Sequence, residues 1–176
     1  MERYHPLLVT LHWVMALMVL ISLVAGGLIL ENMADDNPDK ILALTGHMSA
    51  GMVIGALLIL RLVTRLRTRT PPRATTGNAS LDRIAYWTHR GFYVLIAGMV
   101  LTGLATALGA GLFPIVFGGA ADTLPAELSA LPQHAAHGWI AATLAALVAL
   151  HVAAALYHHL VLKDGLLRRM WFRPRS

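Results

Sequence analysis

Residues 133–162 read QHAAHGWIAATLAALVALHVAAALYHHLVL, without a single Asp, Glu, Lys or Arg. A helix of about 20 apolar residues crosses the hydrocarbon core of a bilayer, so this stretch is long enough to span once. Three further uncharged stretches precede it, between Arg3 and Glu31, between Lys40 and Arg61, and between Arg90 and Asp122. Composition agrees: 57% of the 176 residues are hydrophobic and 13% are charged, against roughly 25% charged in an ordinary soluble domain. The sequence predicts an all-α fold, a four-helix transmembrane bundle. Its spans lie near residues 7–30, 41–62, 84–108 and 133–162, in one integral-membrane domain covering 1–176. The short connections predict up-down-up-down order.

Local signals refine the spans. Pro6 suits the first turn of the first helix. The run TPP at 70–72 breaks structure after the second. GLFPIVFGG at 111–119 is apolar but interrupted by Pro and Gly, which predicts an irregular or interfacial segment. The tail 163–176, containing LLRRMWF, reads as an amphipathic continuation along the membrane surface. The first stretch is not expected to be a cleaved signal peptide, because it exceeds the usual apolar core and carries His12.

Charge sets the expected orientation. Of the 14 Lys and Arg residues, all except Lys40 lie in the N-terminal tip, the segment joining helices two and three, or the tail. The other two loops hold six carboxylates, Glu31, Asp35, Asp36, Asp39, Asp122 and Glu127. Positive loops remain cytoplasmic, so both termini are expected inside and the acidic loops outside. The net charge of +5 then reflects topology and attraction to anionic lipid. No aromatic-interleaved basic surface accompanies it, so nucleic acid is not an expected partner.

The chain has no cysteine. That excludes disulfides, iron–sulfur clusters, zinc–thiolate sites and a covalently attached c-type haem. Nine histidines remain, at 5, 12, 47, 89, 134, 137, 151, 158 and 159. Polar side chains within a membrane usually face the bundle interior and often mark function. His137 and His151 fall near one helix face, separated along the axis by roughly 21 Å at about 1.5 Å per residue. Helix direction puts His47 and His137 toward the outer side and His12 and His151 toward the inner side. Two opposed imidazoles at each depth suit a haem, whose iron takes one axial nitrogen per face and then shuttles electrons. Glycines near His47 (GHMSAG) and His137 (HGW) permit the close backbone approach a porphyrin needs. Zinc is the competing metal, since His134 and His137 are three apart, but it leaves His12, His47 and His151 unexplained.

These residues resemble the prokaryotic cytochrome b561 family, small four-helix membrane cytochromes with two b-type haems. The resemblance spans nearly the whole chain. It rests on LHW at 11–13, His47 early in helix two, RLVTRL at 61–66 followed by TPP, HG at 137–138, and LHVAAALYHHLVLKDGLLRRM at 150–170. It implies axial ligands at His12, His47, His137 and His151, and a bacterial inner-membrane location. Some family members are superoxide oxidases, which implies superoxide as electron donor outside and ubiquinone as acceptor near the inner face. His158, seven residues beyond His151, shares its face and is the expected quinone contact, because quinone reduction consumes protons and histidine titrates in the useful range. His159 points away.

Weaker candidates complete the set. Arg61 is a candidate partner for an inner haem propionate, and Arg65 a headgroup anchor. His89 suits a propionate or quinone contact, or a structural role. Trp13, Trp87 and Trp171 near the inner interface and Trp139 near the outer match an aromatic belt. One feature departs from the resemblance: superoxide is an anion, and steering favours a positive entrance, whereas the outer loops are acidic. Three functions therefore compete. They are a superoxide:ubiquinone oxidoreductase, a cytochrome b subunit relaying electrons between quinone and a periplasmic redox protein, and a haem-free bundle acting as transporter or anchor.

Overall fold

The computed structural model describes residues 3–34, 36–69, 71–72, 75, 77–120, 124–125 and 128–172. Thr70, Asp35, Asp122, Glu127 and the last four residues of the tail lie outside these. The described residues are helical with no strand. Helix α1 runs Pro6–Val24, continues as a π-helical turn over Ala25–Ile29 and closes with a 3-10 turn at Leu30–Asn32. Helix α2 is Lys40–Arg67, α3 is Ala79–Gly109, α4 is Leu112–Gly118 and α5 is Pro132–Tyr157. A π-helical turn over His158–Leu162 extends α5, and Leu166–Met170 forms a short 3-10 helix. Four of these units, Pro6–Asn32, Lys40–Arg67, Ala79–Gly109 and Pro132–Leu162, are long and apolar enough to cross a membrane.

Capping explains where the sequence spans stopped short. His5 accepts the Leu7 amide at its ring nitrogen and Pro6 occupies the first turn, which starts α1 on schedule. Asn78 accepts the amides of Ser80 and Leu81 at 2.9 and 3.3 Å. This side-chain cap starts α3 at Ala79, five positions before its apolar stretch, so the added turn is polar and protrudes from the bilayer. The helix α2 likewise runs on through Arg65 and Arg67 at its C-terminus, where cations oppose the negative end of the dipole.

One expectation is corrected. The segment 111–119 is not irregular: it forms α4, bracketed by Gly111 (φ 63°) and Gly119 (φ 62°), left-handed turns that glycine adopts without strain. Its Leu112 and Val116 are buried with Ala107, against Leu44 and Met48 of α2, so α4 roofs the acidic end of the bundle. Beyond Leu162 the chain turns. Lys163 (φ 51°) and Gly165 (φ 73°) reverse the chain, and the 3-10 helix folds back until the Met170 carbonyl accepts the Trp13 indole N–H at 2.7 Å. Trp171 adds an edge-on contact to Trp13, and Arg169 donates to the Pro72 carbonyl.

The main helix contacts are α1 with α2, α2 with α3, and α3 with α5. A seven-residue ladder then runs up the inward face of every long helix. It reads His12, Val19, Gly26 on α1 and its extension; Arg61, Ile54, His47 on α2; His89, Ile96, Gly103 on α3; and His158, His151, Leu144, His137 on α5 and its extension. Seven residues are close to two helical turns, or about 10.5 Å, so the ladder forms polar tiers separated by an apolar one. Val19, Ile54 and Leu144 are buried in that middle tier, with Phe92, Ile96, Met99 and Val100 packed around them. Outward faces are bare hydrocarbon: Leu17, Ile59, Leu66, Val94 and Leu150 are all more than 60% exposed. In water these would be a severe cost; in lipid they are solvated. The chain is a multi-pass membrane protein.

Candidate haem and quinone sites

At the acidic end, His47 of α2 and His137 of α5 face one another with ring centroids 6.2 Å apart and planes at 79°. At the basic end, His12 of α1 and His151 of α5 are 6.4 Å apart with planes at 76°. Each pair thus joins the α1–α2 hairpin to α5, whose backbone lies closer to α3 than to α1 or α2. A metal between two imidazoles needs two bonds of about 2.0 Å, and each ring centre lies about 1.1 Å behind its nitrogen, giving roughly 6.2 Å. Both pairs have that spacing.

The imidazole tautomer is set at His137. The Thr102 hydroxyl has one proton and gives it to the Gly98 carbonyl at 2.7 Å. Its oxygen is then an acceptor for His137 Nδ1–H at 3.0 Å. With Nδ1 protonated, Nε2 keeps its lone pair for a metal. His47 Nδ1, by contrast, is buried without a partner among the described residues.

Two glycines hold the outer rings, and neither is adjacent to a histidine in sequence. A Cβ on Gly26 would stand 3.0 Å from His47 Cε1, and one on Gly103 would stand 3.1 Å from His137 Cε1. Gly26 lies in the π-helical turn of α1, the kind of local widening common at functional sites. The flanking glycines singled out from sequence do not touch the rings: a Cβ on Gly46, Gly51 or Gly138 would stand in open space, as the approach of a flat macrocycle requires. Gly26, Gly103 and Thr102 carried a usable signal all the same, since both glycines occupy ladder positions in line with the histidines.

The basic-end tier has more members. His89 of α3 is exposed, lies 5.6 Å from His151 centroid to centroid, and donates Nδ1–H to the Ala85 carbonyl at 2.6 Å. Arg61 of α2 donates Nη1–H to the Leu8 carbonyl at 2.7 Å, one turn before His12. Phe92 packs edge-on against His151 at 5.2 Å. One turn-pair nearer the basic end, His158 Nδ1 meets Asp164 Oδ2 at 2.5 Å. Arg65 and His159 are exposed, and His5 serves as the α1 cap. Trp87 and Trp139 point outward, 61% and 77% exposed. Among the described residues no group of three or more His, Asp or Glu side chains is placed to share a metal ion.

Known proteins agree with this architecture. The chain is 28% identical to a probable superoxide oxidase CybB of Yersinia pestis, over 99% of each chain. It is 27% identical to cytochrome b561 homolog 1 of Escherichia coli (strain K12), over 99% of this chain and all of that one. The pattern of the prokaryotic cytochrome b561 family matches residues 3–173. Four spanning helices, two facing histidine pairs and this full-length match make the chain a member of the prokaryotic cytochrome b561 family, membrane electron-transfer proteins with b-type haem.

Proposed function

We propose that the protein is a superoxide:ubiquinone oxidoreductase of the bacterial inner membrane, carrying two b-type haems, one held by His47 and His137 and the other by His12 and His151. The observation that supports this most directly is the pair of imidazole–imidazole separations, 6.2 and 6.4 Å, at two depths of one bundle. Held by these two histidine pairs, the haems would supply one-electron transfer.

The chain's own residues do the rest. The middle tier of Val19, Ile54 and Leu144 excludes water between the two sites and keeps them in a low-dielectric interior. Thr102 orients His137. Arg61 uses one of its five N–H groups on Leu8, and the remainder suit an inner haem propionate, a planar carboxylate that guanidinium recognises well. His158, on the same ladder as His137 and His151, contacts the quinone near the cytoplasmic side. Two superoxide anions, one quinone and two protons become two dioxygen molecules and one quinol.

Acidic outer loops favour a second reading. Glu31, Asp36 and Asp39 are exposed, and such a surface suits docking of a basic periplasmic redox protein better than attraction of an anion. The deciding experiment is a pulse of superoxide on purified, oxidised protein, followed optically with and without ubiquinone. The enzyme reading expects fast haem reduction, then quinone-dependent reoxidation with catalytic loss of superoxide. A haem spectrum unmoved by superoxide overturns it in favour of a protein donor.

A smaller perturbation checks the outer site. Thr102→Val removes the hydroxyl that accepts from His137 and keeps the side chain's volume. Haem affinity at the outer site is expected to fall about tenfold, the lower end of the usual effect of losing a ligand's orienting partner. Haem titration of the apoprotein, with the inner site as internal reference, measures it.

A further inference from the structure

The basic end of α5 contains a hydrogen-bonded arrangement that the electron path does not use. After Tyr157 the backbone widens into a π-helical turn over His158–Leu162, then reverses through Lys163 and Gly165. Lys163 is the one non-glycine residue with positive φ among the described residues. A lysine in the left-handed region is disfavoured and persists where neighbouring contacts over-determine it. The contacts come from Asp164. One carboxylate oxygen accepts His158 Nδ1–H at 2.5 Å, and the other accepts the Leu166 amide at 2.9 Å. The turn thus delivers a carboxylate back onto a histidine six residues earlier in the chain.

Exposure is graded across the pair. The His158 side chain is 19% exposed and that of Asp164 is 38% exposed, so the ring is covered while the carboxylate reaches water. The hydrogen bond from His158, followed by that from Leu166, holds the Asp164 carboxyl below the usual carboxylate range. It is therefore ionised throughout the working pH range, and an ionised carboxylate can only accept. His158 must then carry its proton on Nδ1, which leaves Nε2 as the exchanging nitrogen. Tyr157 stands edge-on to the His158 ring at 6.4 Å. Nearby, Arg169 is engaged with Pro72, and His159, Lys163 and Arg168 are exposed.

We propose that Asp164 is the positioning residue of the quinone site: it locks the His158 ring through Nδ1 so that Nε2 faces the quinone carbonyl and delivers the proton the reduction requires. This rests on His158 being the quinone contact, as proposed above. In the step, the quinone gains two electrons, drawn one each from two superoxide anions. With His158 as the imidazolium, protonated on both nitrogens beside the ionised Asp164 carboxylate, the Nε2–H bond breaks as one quinone O–H bond forms and the neutral ring keeps Nδ1–H, while the second carbonyl takes its proton from the aqueous interface. Nε2 is then reprotonated from water while Nδ1–H remains on Asp164. The logic is that of a carboxylate holding a catalytic imidazole in its productive tautomer.

The test compares Asp164→Asn, Asp164→Ser, Asp164→Glu and His158→Gln in the di-haem protein in detergent. Asparagine and serine can both still cap Leu166, but neither supplies an ionised acceptor for His158, so they separate positioning from capping. Three quantities are read: the haem spectrum, equilibrium binding of ubiquinone-1 by calorimetry, and the rate of quinone-dependent haem reoxidation. His158→Gln is expected to weaken ubiquinone-1 binding about tenfold, the loss of one hydrogen bond involving a charged group. Asp164→Asn and Asp164→Ser are expected to slow reoxidation at saturating quinone about 100-fold, the lower end of what positioned proton transfer contributes, with KM within about threefold. Asp164→Glu should recover most of the rate.

Wild-type reoxidation in both Asn and Ser variants, with His158→Gln impaired, overturns the role of Asp164 and leaves the quinone contact standing. Loss of the haem spectrum in both makes the carboxylate structural and also overturns it. An unaffected His158→Gln protein removes the quinone contact itself.

Discussion

His137→Ala is expected to yield a protein with one haem instead of two, the surviving haem keeping its own spectrum and potential. His151→Ala should give the complementary single-haem form. Both proposed ligands lie on α5, yet the two sites are expected to respond almost independently. About 21 Å of helix separates them, and Leu144, 2% exposed, fills the tier between them with Val19 and Ile54. Sites that far apart with no shared partner respond nearly independently. Each site loses one of two axial nitrogens, so retention of a weakly bound five-coordinate haem is the alternative to complete loss. The haem-to-protein ratio by pyridine haemochrome, with low-spin electron paramagnetic resonance signals, separates these results. A ratio of two with unchanged signals in His137→Ala would rule out His137 as a ligand. Loss of both haems in either variant would show that the two sites assemble as a unit.

A steric series at Gly103 and Gly26 should remove the outer haem without touching any ligand. A Cβ at these positions would stand 3.1 Å from the His137 ring and 3.0 Å from the His47 ring. Alanine requires the imidazole to yield by a few tenths of an ångström, and outer-haem affinity should fall moderately. Valine adds two methyl groups to an already tight contact. Overpacking of that kind costs about 1–3 kcal/mol, which corresponds to roughly 5- to 150-fold in affinity. The double variant Gly26→Val/Gly103→Val presses on both rings from opposite helices and is expected to isolate a protein with the inner haem alone. Haem titration followed by redox potentiometry reads the outcome. A di-haem double variant with unchanged potentials would show that neither glycine constrains its ring. Gly27→Ala is the control, because Gly27 is exposed and a Cβ there meets nothing within 4 Å.

The division between sequence and tertiary structure follows from the physics of each. Four uncharged stretches, the absence of cysteine and the skew of Lys and Arg determine by themselves a helical membrane bundle and the class of cofactor it can hold. These signals are legible because lipid offers no partner for a bare backbone polar group or an isolated charge. The histidine pairing was also readable in outline, since a helix converts residue number into depth at a constant rise. His12 with His151 and His47 with His137 are the pairs expected from depth, and they are the pairs whose rings approach.

Lateral neighbours were not readable, because a single sequence carries depth but no rotation between helices. Only the packed structure places Gly26 and Gly103 against the rings of other helices, sets Thr102 beside His137, and brings His89 to His151. Local hydrogen bonding decided the remainder. Asn78 extended α3, paired left-handed glycines turned 111–119 into α4, and Lys163 with Gly165 folded the tail onto Trp13. Asp164, an unremarked acid in a basic tail, reaches His158 solely through that reversal, which depends on backbone angles at two residues and leaves no trace in hydrophobicity or charge.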